Sequence, residues 1–277
     1  MKSIAKDFSN KDYEKHAALF FTEEGIVVNS HTSSPLLQFG KIVKELGIII
    51  NEAYEDGERP FIITCESLLT PDQMMKKGFH IESPKSFLIS LQNEKIQQCI
   101  LRAVHWLTWD SKLQHCSKCG TKIQKVFEST EKKCDSCKHS FYPKLSPAVM
   151  VLIQRENEVL LGRSAHFKPG VYSALAGFID IGETAEQAAH REVKEEVGVE
   201  IGELEYFGTQ SWPFPDSFMI AFKAQYLRGA IQIDANEIQD AQWFDLNNLP
   251  ALPSHSSISR KLIESVLLKN KTWTHYE

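Results

Sequence analysis

The chain has 277 residues, of which 42% are hydrophobic and 24% are charged, so it can bury a large core and is neither disordered nor collagen-like. Its net charge of -5 argues against a general affinity for DNA or for anionic membranes. The first residues lack an apolar signal core and no apolar run approaches 18 residues, so we expect a cytoplasmic protein without a membrane span.

Residues 1–110 alternate short apolar runs with polar stretches, which predicts an N-terminal α+β domain. Five runs have the length and composition of strands, and two stretches have helical spacing. The predicted strands are 18–21, 26–28, 48–50, 61–64 and 87–91, and the predicted helices are 34–46 and 93–107. No set of residues in this region indicates chemistry.

Residues 111–141 contain four closely spaced cysteines in two CxxC pairs, separated by fourteen residues: Cys116, Cys119, Cys134 and Cys137. In a reducing compartment such pairs are more often metal ligands than disulfides, and four thiolates match tetrahedral zinc. A redox pair and an iron site use the same residues and remain alternatives. Because so short a segment cannot build a core, we expect a zinc ribbon held together by one structural Zn²⁺.

The same region is rich in lysine. Over residues 111–144, eight lysines against three acidic residues give a net charge of +5, which leaves -10 for the rest of the chain. The residues counted are Lys112, Lys118, Lys122, Lys125, Lys132, Lys133, Lys138 and Lys144, with Glu128, Glu131 and Asp135. A solvated surface explains this composition, and a landing site for a polyanion such as RNA is the second interpretation.

Residues 177–199 contain the cluster that indicates chemistry. Thr184 and Gln187 match a capping box and Gly198 matches the glycine that ends a helix, which predicts a helix over 185–197. Within about 100° on one face of this helix, next to small alanines, lie three glutamates: Glu192, Glu195 and Glu196. Crowded, partly sheltered carboxylates suit a divalent cation such as Mg²⁺ or Mn²⁺, and such ions act on phosphate substrates.

This segment resembles the Nudix box, G-x5-E-x7-R-E-U-x-E-E-x-G-U with U aliphatic, and all nine specified positions are filled. The resemblance implies a Nudix hydrolase domain over 142–277, an α/β/α sandwich with a mixed sheet, that cleaves a nucleoside diphosphate linked to another moiety. It also implies that the three helix glutamates ligate the metal and that Glu183 and Arg191 shape the loop and helix as an ion pair. The general base is left open among Glu192, Glu195 and the later Glu237.

Residues 209–217 form a second signature, Thr-Gln-Ser-Trp-Pro-Phe-Pro-Asp-Ser. We expect the two prolines to hold an extended segment that presents Trp212 and Phe214. The segment resembles the SQPWPFPxS array of the NADH pyrophosphatase family, Nudix enzymes that also carry a four-cysteine zinc module. Thr209 and Ser211 depart from that array.

The family resemblance implies a substrate pocket built from several regions. It implies that Phe178 and Trp212 stack on the nicotinamide or base, that Gln210 offers its amide to the ligand, and that Tyr142 lines the same pocket. Ser259 lies in residues 257–263, which resemble the family's SIAxxLI with Ser in place of Ala, and it is a further substrate-binding candidate. Glu237 matches an acidic position near the metals.

The activity implied by the resemblance is hydrolysis of NADH or NAD to nicotinamide mononucleotide and AMP with Mg²⁺ or Mn²⁺, in a homodimer. In the family the same cleavage can remove an NAD cap from the 5′ end of RNA. A Nudix pyrophosphatase with another substrate, such as ADP-ribose, is the alternative. A binding protein with an inactive Nudix domain is disfavoured, because all the box carboxylates are present and the chain outside the cysteine segment is strongly acidic.

Overall fold

The computed structural model describes residues 2–4, 16–55, 59–123 and 131–272, and the chain divides into two compact units, Met1–Lys144 and Leu145–Glu277. Each unit combines helices with a mixed sheet, which confirms the α+β fold class. The finer division into domains at 110 and 141 stays a prediction. None of the helices in the described ranges has both the length and the apolar character needed to cross a bilayer.

The first unit is built on a seven-stranded sheet. Its strands are β1 Lys2–Ile4, β2 Ala17–Phe21, β3 Ile26–Asn29, β4 Leu37–Gln38, β5 Ile48–Glu55, β6 Phe61–Ser67 and β7 Phe79–Glu82. They lie in the order β1-β5-β6-β2-β3-β7, with β4 beside β2. Strands β2 and β6 are parallel and the other pairs are antiparallel.

Four helices accompany this sheet: α1 Phe39–Leu46, α2 Pro71–Lys76, α3 Pro84–Ser90 and α4 Glu94–Lys112. Ile42 and Leu46 of α1 pack into the core with Phe20 and Ile63 of the central strands. Helix α4 extends the predicted helix 93–107 by more than a turn, and Asn93 caps it by accepting from the backbone of Lys95 and Ile96.

Two of the predicted elements are wrong. The predicted strand 87–91 instead falls in α3 up to Ser90, because Ser83 caps a helix whose first position is Pro84. Phe87 and Leu88 form its buried face, whereas Ile89 is exposed. The predicted helix 34–46 begins only at Phe39, because Leu37–Gln38 pair with β2. Helix α2 was not predicted, although Thr70 and Gln73 form a capping box at its start.

A buried ion pair joins α4 to the cysteine segment, whose strands β8 Lys132–Lys133 and β9 Ser140–Phe141 form a small hairpin. Lys132 Nζ lies 3.0 Å from Asp110 Oδ1 and donates to the carbonyl oxygens of Asp110 and Leu113 at 2.7 and 2.9 Å. Both side chains are below 10% exposed. Lys132 therefore does not contribute to an exposed basic surface.

The second unit contains a six-stranded mixed sheet. Its strands are β10 Ser146–Arg155, β11 Glu158–Ser164, β12 Leu175–Phe178, β13 Glu200–Trp212, β14 Ser217–Arg228 and β15 Ile238–Asp245, and its helices are α5 Ala185–Val197 and α6 Ile258–Thr272. The strand order is β13-β14-β10-β11-β15, with β12 beside β10, and only the β10–β14 pair among the described strands of this sheet is parallel.

The two helices cover opposite faces of this sheet. Successive side chains of β10 point to opposite faces, so Val149 and Val151 share a core with α5, whereas Met150 and Leu152 share another core with α6. This layering confirms the predicted α/β/α sandwich. It also places the end of β12 and the acidic face of α5 next to each other.

We expect Asp110→Asn to destabilise the protein by about 3–5 kcal/mol, because it leaves the buried Lys132 ammonium without its counter-charge. The measurement is the free energy of unfolding from urea titration followed by tryptophan fluorescence. Glu45→Gln is the matched control, since it removes an exposed ion pair with Lys41 worth less than about 1 kcal/mol. An equal loss in the free energy of unfolding for Asp110→Asn and Glu45→Gln would contradict the contribution assigned to the buried ion pair.

Candidate functional site

Helix α5 begins and ends where the sequence predicted. Thr184 Oγ1 accepts from the Gln187 backbone at 3.2 Å, while Gln187 Oε1 accepts from the Thr184 backbone at 2.9 Å. At the other end Gly198 adopts φ 75° and donates to the Lys194 carbonyl, which closes the last turn. Buried Val193 and Val197 fix the rotation of the helix against the sheet.

Three carboxylates meet at the edge of α5. One oxygen each from Glu192, Glu196 and Glu237 lies within 4.8 Å of the others. Glu196 is 5% exposed, and its Oε2 has no hydrogen-bond partner among the described residues. Glu237 precedes β15, in a turn in which its backbone donates to the Asp234 carbonyl. The structure thus brings together Glu192, Glu196 and Glu237, which are three of the four glutamates predicted as metal ligands.

This arrangement is unfavourable without a cation. Burial, and then the negative charges of Glu192 and Glu237, raise the pKa of Glu196 to about 8. Burial likewise raises the pKa of Glu192, and the adjacent Arg191 opposes that effect. An octahedral ion with ligands at about 2.1 Å holds oxygens roughly 3–4 Å apart, and the three carboxylate oxygens lie within 4.8 Å of one another. The cluster could therefore hold a divalent cation.

Arg191 organises the loop before α5. It donates to both oxygens of Glu183, at 2.6 and 2.8 Å, and to the carbonyl of Phe178 at 2.9 Å. The paired guanidinium lowers the pKa of Glu183 to about 2. The ion pair implied by the family resemblance is therefore present, and it ties the end of β12 to the helix.

Glu195 occupies a different position from the other two helix glutamates. Its side chain is 57% exposed, and its Oε2 accepts from Arg191 Nη1 at 2.9 Å. The same Nη1 also donates to Glu192 Oε1 at 2.9 Å. Glu195 lies beside the carboxylate cluster and is not one of the three residues that compose it.

Gly177, the first position of the box, allows the carboxylate of Glu192 to lie directly against the backbone of β12. A Cβ at position 177 would fall 1.9–2.3 Å from the carboxyl atoms of Glu192. No side chain can occupy that space unless Glu192 moves. The glycine is thus required by the position of a candidate ligand.

A cavity of about 430 Å³ opens at the carboxylate cluster. Its wall includes the three glutamates together with Asp180, Phe167 and Phe178. Phe178 is 55% exposed, so its ring is accessible from the cavity, and its predicted stacking role stays a prediction. Phe167 and Asp180 were not predicted, because a single aromatic or acid in a loop gives no pattern in the sequence.

The structure gives Gln210 and Ser259 internal partners. The Gln210 amide donates to the Ser256 carbonyl at 2.7 Å and accepts from the Ile258 backbone at 2.8 Å, so it holds the start of α6. Ser259 is 1% exposed; its hydroxyl bonds the Ser173 hydroxyl at 2.8 Å and accepts from the Ala174 backbone at 3.1 Å. Ser259 therefore bonds Ser173 and Ala174, which line the cavity, and does not line the cavity itself.

The aromatic array forms a turn, which corrects the expected extended segment. Trp212 ends β13 and Ser217 begins β14, and the two residues pair across an antiparallel hairpin whose turn contains a cis Phe214–Pro215 peptide. The Trp212 ring packs edge-on to Phe214 at 5.3 Å and joins the core beneath α6. Neither Gln210 nor Trp212 belongs to the cavity wall formed by the described residues.

Tyr142 lies in the first unit, where it is 65% exposed. Its predicted contribution to the substrate pocket stays a prediction, as do the binding roles of Gln210, Trp212 and Ser259.

The four cysteines form a second potential metal centre. Two knuckles hold them: Gly120 donates to the Cys116 carbonyl and Lys138 to the Cys134 carbonyl, both at 2.8 Å. The four sulfur atoms lie within 4.8 Å of one another, and the contacts Cys116–Cys137 and Cys119–Cys134 are both 3.5 Å. Sulfurs at about 2.3 Å from a tetrahedral zinc lie roughly 3.8 Å apart, so the spacing fits a metal, and none of the four cysteines forms a disulfide in the structure.

Hydrogen bonding with Thr121 lowers the pKa of the Cys119 thiol to about 6. That thiol therefore ionises readily at neutral pH, which favours metal binding by the cluster.

We expect Gly177→Ala to weaken Mn²⁺ binding roughly 10- to 100-fold, the range seen when a group that orients a metal ligand is lost, because the new methyl displaces the Glu192 carboxylate. Titration followed by electron paramagnetic resonance measures free Mn²⁺. The control is Gly208→Ala, where a new Cβ meets nothing within 4 Å. Unchanged Mn²⁺ affinity in Gly177→Ala would contradict the role given to this close approach.

The sequence comparisons agree with this geometry. The NUDIX domain model matches residues 144–266. The NAD-capped RNA hydrolase NudC of Pseudomonas aeruginosa is 49% identical over 161 residues, which are 58% of this chain and 58% of that protein. The chain thus spans less than two thirds of the length of such relatives.

Longer matches come from Pseudomonas syringae. Its NAD-capped RNA hydrolase NudC is 46% identical in pathovar syringae and 38% identical in pathovar tomato, in both cases over 214 residues, 77% of this chain and 75% of the relative. Because these matches cover most of both proteins and contain the box, the chain belongs to the NudC family of NADH pyrophosphatases within the Nudix hydrolases.

Proposed function

We propose that this chain is a divalent-metal-dependent hydrolase that splits the pyrophosphate of NADH or NAD into nicotinamide mononucleotide and AMP. The observation that carries the proposal is the convergence of Glu192, Glu196 and Glu237 at one cavity, with the buried Glu196 Oε2 lacking a protein partner. The names of the relatives, which are NAD-capped RNA hydrolases, support the same substrate class.

In this proposal the three clustered glutamates hold Mg²⁺ or Mn²⁺. A divalent ion held by these residues would offset the charge of the pyrophosphate and lower the pKa of a bound water. Arg191 keeps Glu183 and the loop after β12 in place, so the ligands stay aligned while the substrate enters. Exposed Phe178 stacks on a planar ring of the dinucleotide at the cavity rim.

The reaction consumes one water. The water oxygen forms a bond to one phosphorus, the bridging P–O bond breaks, and each phosphorus leaves as a phosphomonoester. A carboxylate must accept the proton of the attacking water. Glu195 is the candidate that lies outside the ligand cluster, and it accepts a hydrogen bond of 2.9 Å from Arg191, which also bonds Glu192 of the cluster. Glu192 and Glu237 remain candidates for the same step.

We further propose that the enzyme removes NAD caps from RNA. The exposed lysines of the cysteine segment support contact with an RNA chain, and in the described residues they include Lys118, Lys122, Lys133 and Lys138. Lys132 is excluded because it is buried against Asp110. Lys125 and Glu128 lie outside the described residues.

The alternative within the same chemistry is a preference for another nucleoside diphosphate derivative such as ADP-ribose, in keeping with the departures at Thr209 and Ser211. We also propose a homodimer, as the family resemblance implies, and light scattering of the purified protein tests it.

We expect purified protein with Mn²⁺ to convert NADH to AMP and reduced nicotinamide mononucleotide, as read by chromatography. Glu196→Gln should lower kcat by roughly 100-fold or more, because it removes a charge from the cation site. Glu195→Gln tests the proposed base in the same assay. Glu186→Gln, on the same helix but exposed and outside the cluster, is the matched control.

The substrate panel decides among the proposals. NADH, NAD, ADP-ribose and NAD-capped RNA are offered separately. If the protein hydrolyses ADP-ribose and none of the other substrates, its substrate is ADP-ribose and not NADH or NAD. Absence of turnover with every substrate would refute the enzymatic proposal.

We propose that the cysteine cluster holds one structural Zn²⁺ per chain, and elemental analysis of wild-type protein should find that ratio. Cys119→Ser should lower the zinc content and the thermal unfolding midpoint together, because the metal replaces a core in so small a module. Cys99→Ser, outside the cluster, is the control. Iron in place of zinc, or full zinc content in Cys119→Ser, would contradict the proposal.

A further inference from the structure

The connection between β11 and β12 places an apolar ring at the cavity rim. Residues 165–170 are all exposed, and among them Phe167 is 38% exposed although its side chain is apolar. Phe167 lines the same cavity as the three glutamates and Phe178. Single exposed apolar side chains are common on protein surfaces. What distinguishes Phe167 is its place in the wall of the cavity that contains the candidate cation site.

The loop is held by its own hydrogen bonds. Phe167 donates to the Ser164 carbonyl and Val171 to the Lys168 carbonyl, both at 3.1 Å, which makes two successive tight turns. At its base, Gly162 and Ser173 exchange two backbone hydrogen bonds of 2.9 Å. The ring therefore projects from a defined loop, and ordering it for a ligand costs little conformational entropy.

The base of the loop is also anchored to the rest of the second unit. The Tyr172 backbone donates to the Ala251 carbonyl at 2.9 Å, its hydroxyl bonds Asp240, and its ring packs edge-on to Phe244 at 4.9 Å. Ser173 is held from the other side by the Ser259 hydroxyl. These contacts fix the wall from which Phe167 reaches the cavity rim.

We propose that Phe167 is a specificity-determining residue that stacks on a planar base of the dinucleotide, as a second aromatic surface beside Phe178. This inference rests on the proposed function. The cavity then provides carboxylates for the cation at the pyrophosphate and two separate rings for the planar groups that flank it. Stacking accepts any base and favours substrates that carry two rings over those that carry one.

The test compares Phe167→Ala, Phe167→Leu and Phe167→Trp with wild type in steady-state hydrolysis of NADH. The Ala variant should raise KM about tenfold, with a smaller effect on kcat. The Leu variant should resemble Ala, and the Trp variant should resemble wild type, because a planar face is what binds. Leu227→Ala is the control, since Leu227 is an exposed apolar residue of the same unit that does not line the cavity.

A KM within twofold of wild type in Phe167→Ala would overturn the inference, and so would full rescue by Leu. The same variants are assayed with ADP-ribose. If KM rises for NADH but not for ADP-ribose, Phe167 stacks on the nicotinamide. If KM rises equally for both substrates, it stacks on the adenine. Binding of NADH to Glu196→Gln, with and without Phe167→Ala, is measured by nicotinamide fluorescence. If wild type hydrolyses nothing, the proposed function fails, and a weakened NADH affinity in the double variant still supports stacking.

Discussion

The mutual repulsion of three clustered carboxylates, two of them buried, is the constraint on which the candidate site of the second unit depends. Small alanines and valines bring α5 close to the sheet, Gly177 leaves room for the Glu192 carboxylate, and Arg191 balances part of the charge. The remaining negative charge has no compensation within the described residues, as the unpartnered Glu196 oxygen indicates. The protein therefore holds a strained electrostatic arrangement that a divalent cation relieves.

Much of this could be predicted from the sequence because it depends on local chemistry. The capping box and terminal glycine fixed the bounds of α5, and the spacing of the glutamates placed two of them at one site. The box did not show that Glu195 differs from Glu192 and Glu196. Helical spacing predicts that the three share one face, but it does not predict which of them meet a carboxylate from another part of the chain. Only the fold brings Glu237, from a distant turn, to that point.

The errors have the same origin. An apolar run such as 87–91 suits a strand or a short helix equally well, and the Ser-Pro start that decides between them acts over only two residues. The hydrogen bonds by which Gln210 holds the start of α6 and Ser259 holds the cavity wall were not foreseen either, because they join residues far apart in the sequence; the substrate-binding roles that the family pattern implies for both stay predictions. The burial of Lys132 could not be inferred from a charge count, because its partner Asp110 lies 22 residues away.

The Lys132–Asp110 pair has a consequence for how oxidation would affect the protein. Lys132 lies two residues before Cys134, so the hairpin that supplies thiolates to the cluster also delivers the counter-charge that Asp110 needs inside the first unit. An oxidant that converts the thiolates to disulfides would draw sulfurs now 3.5 Å apart to about 2 Å and distort that hairpin. Oxidation of the cysteines would thus also disturb the ion pair that Lys132 makes with Asp110 near the end of α4.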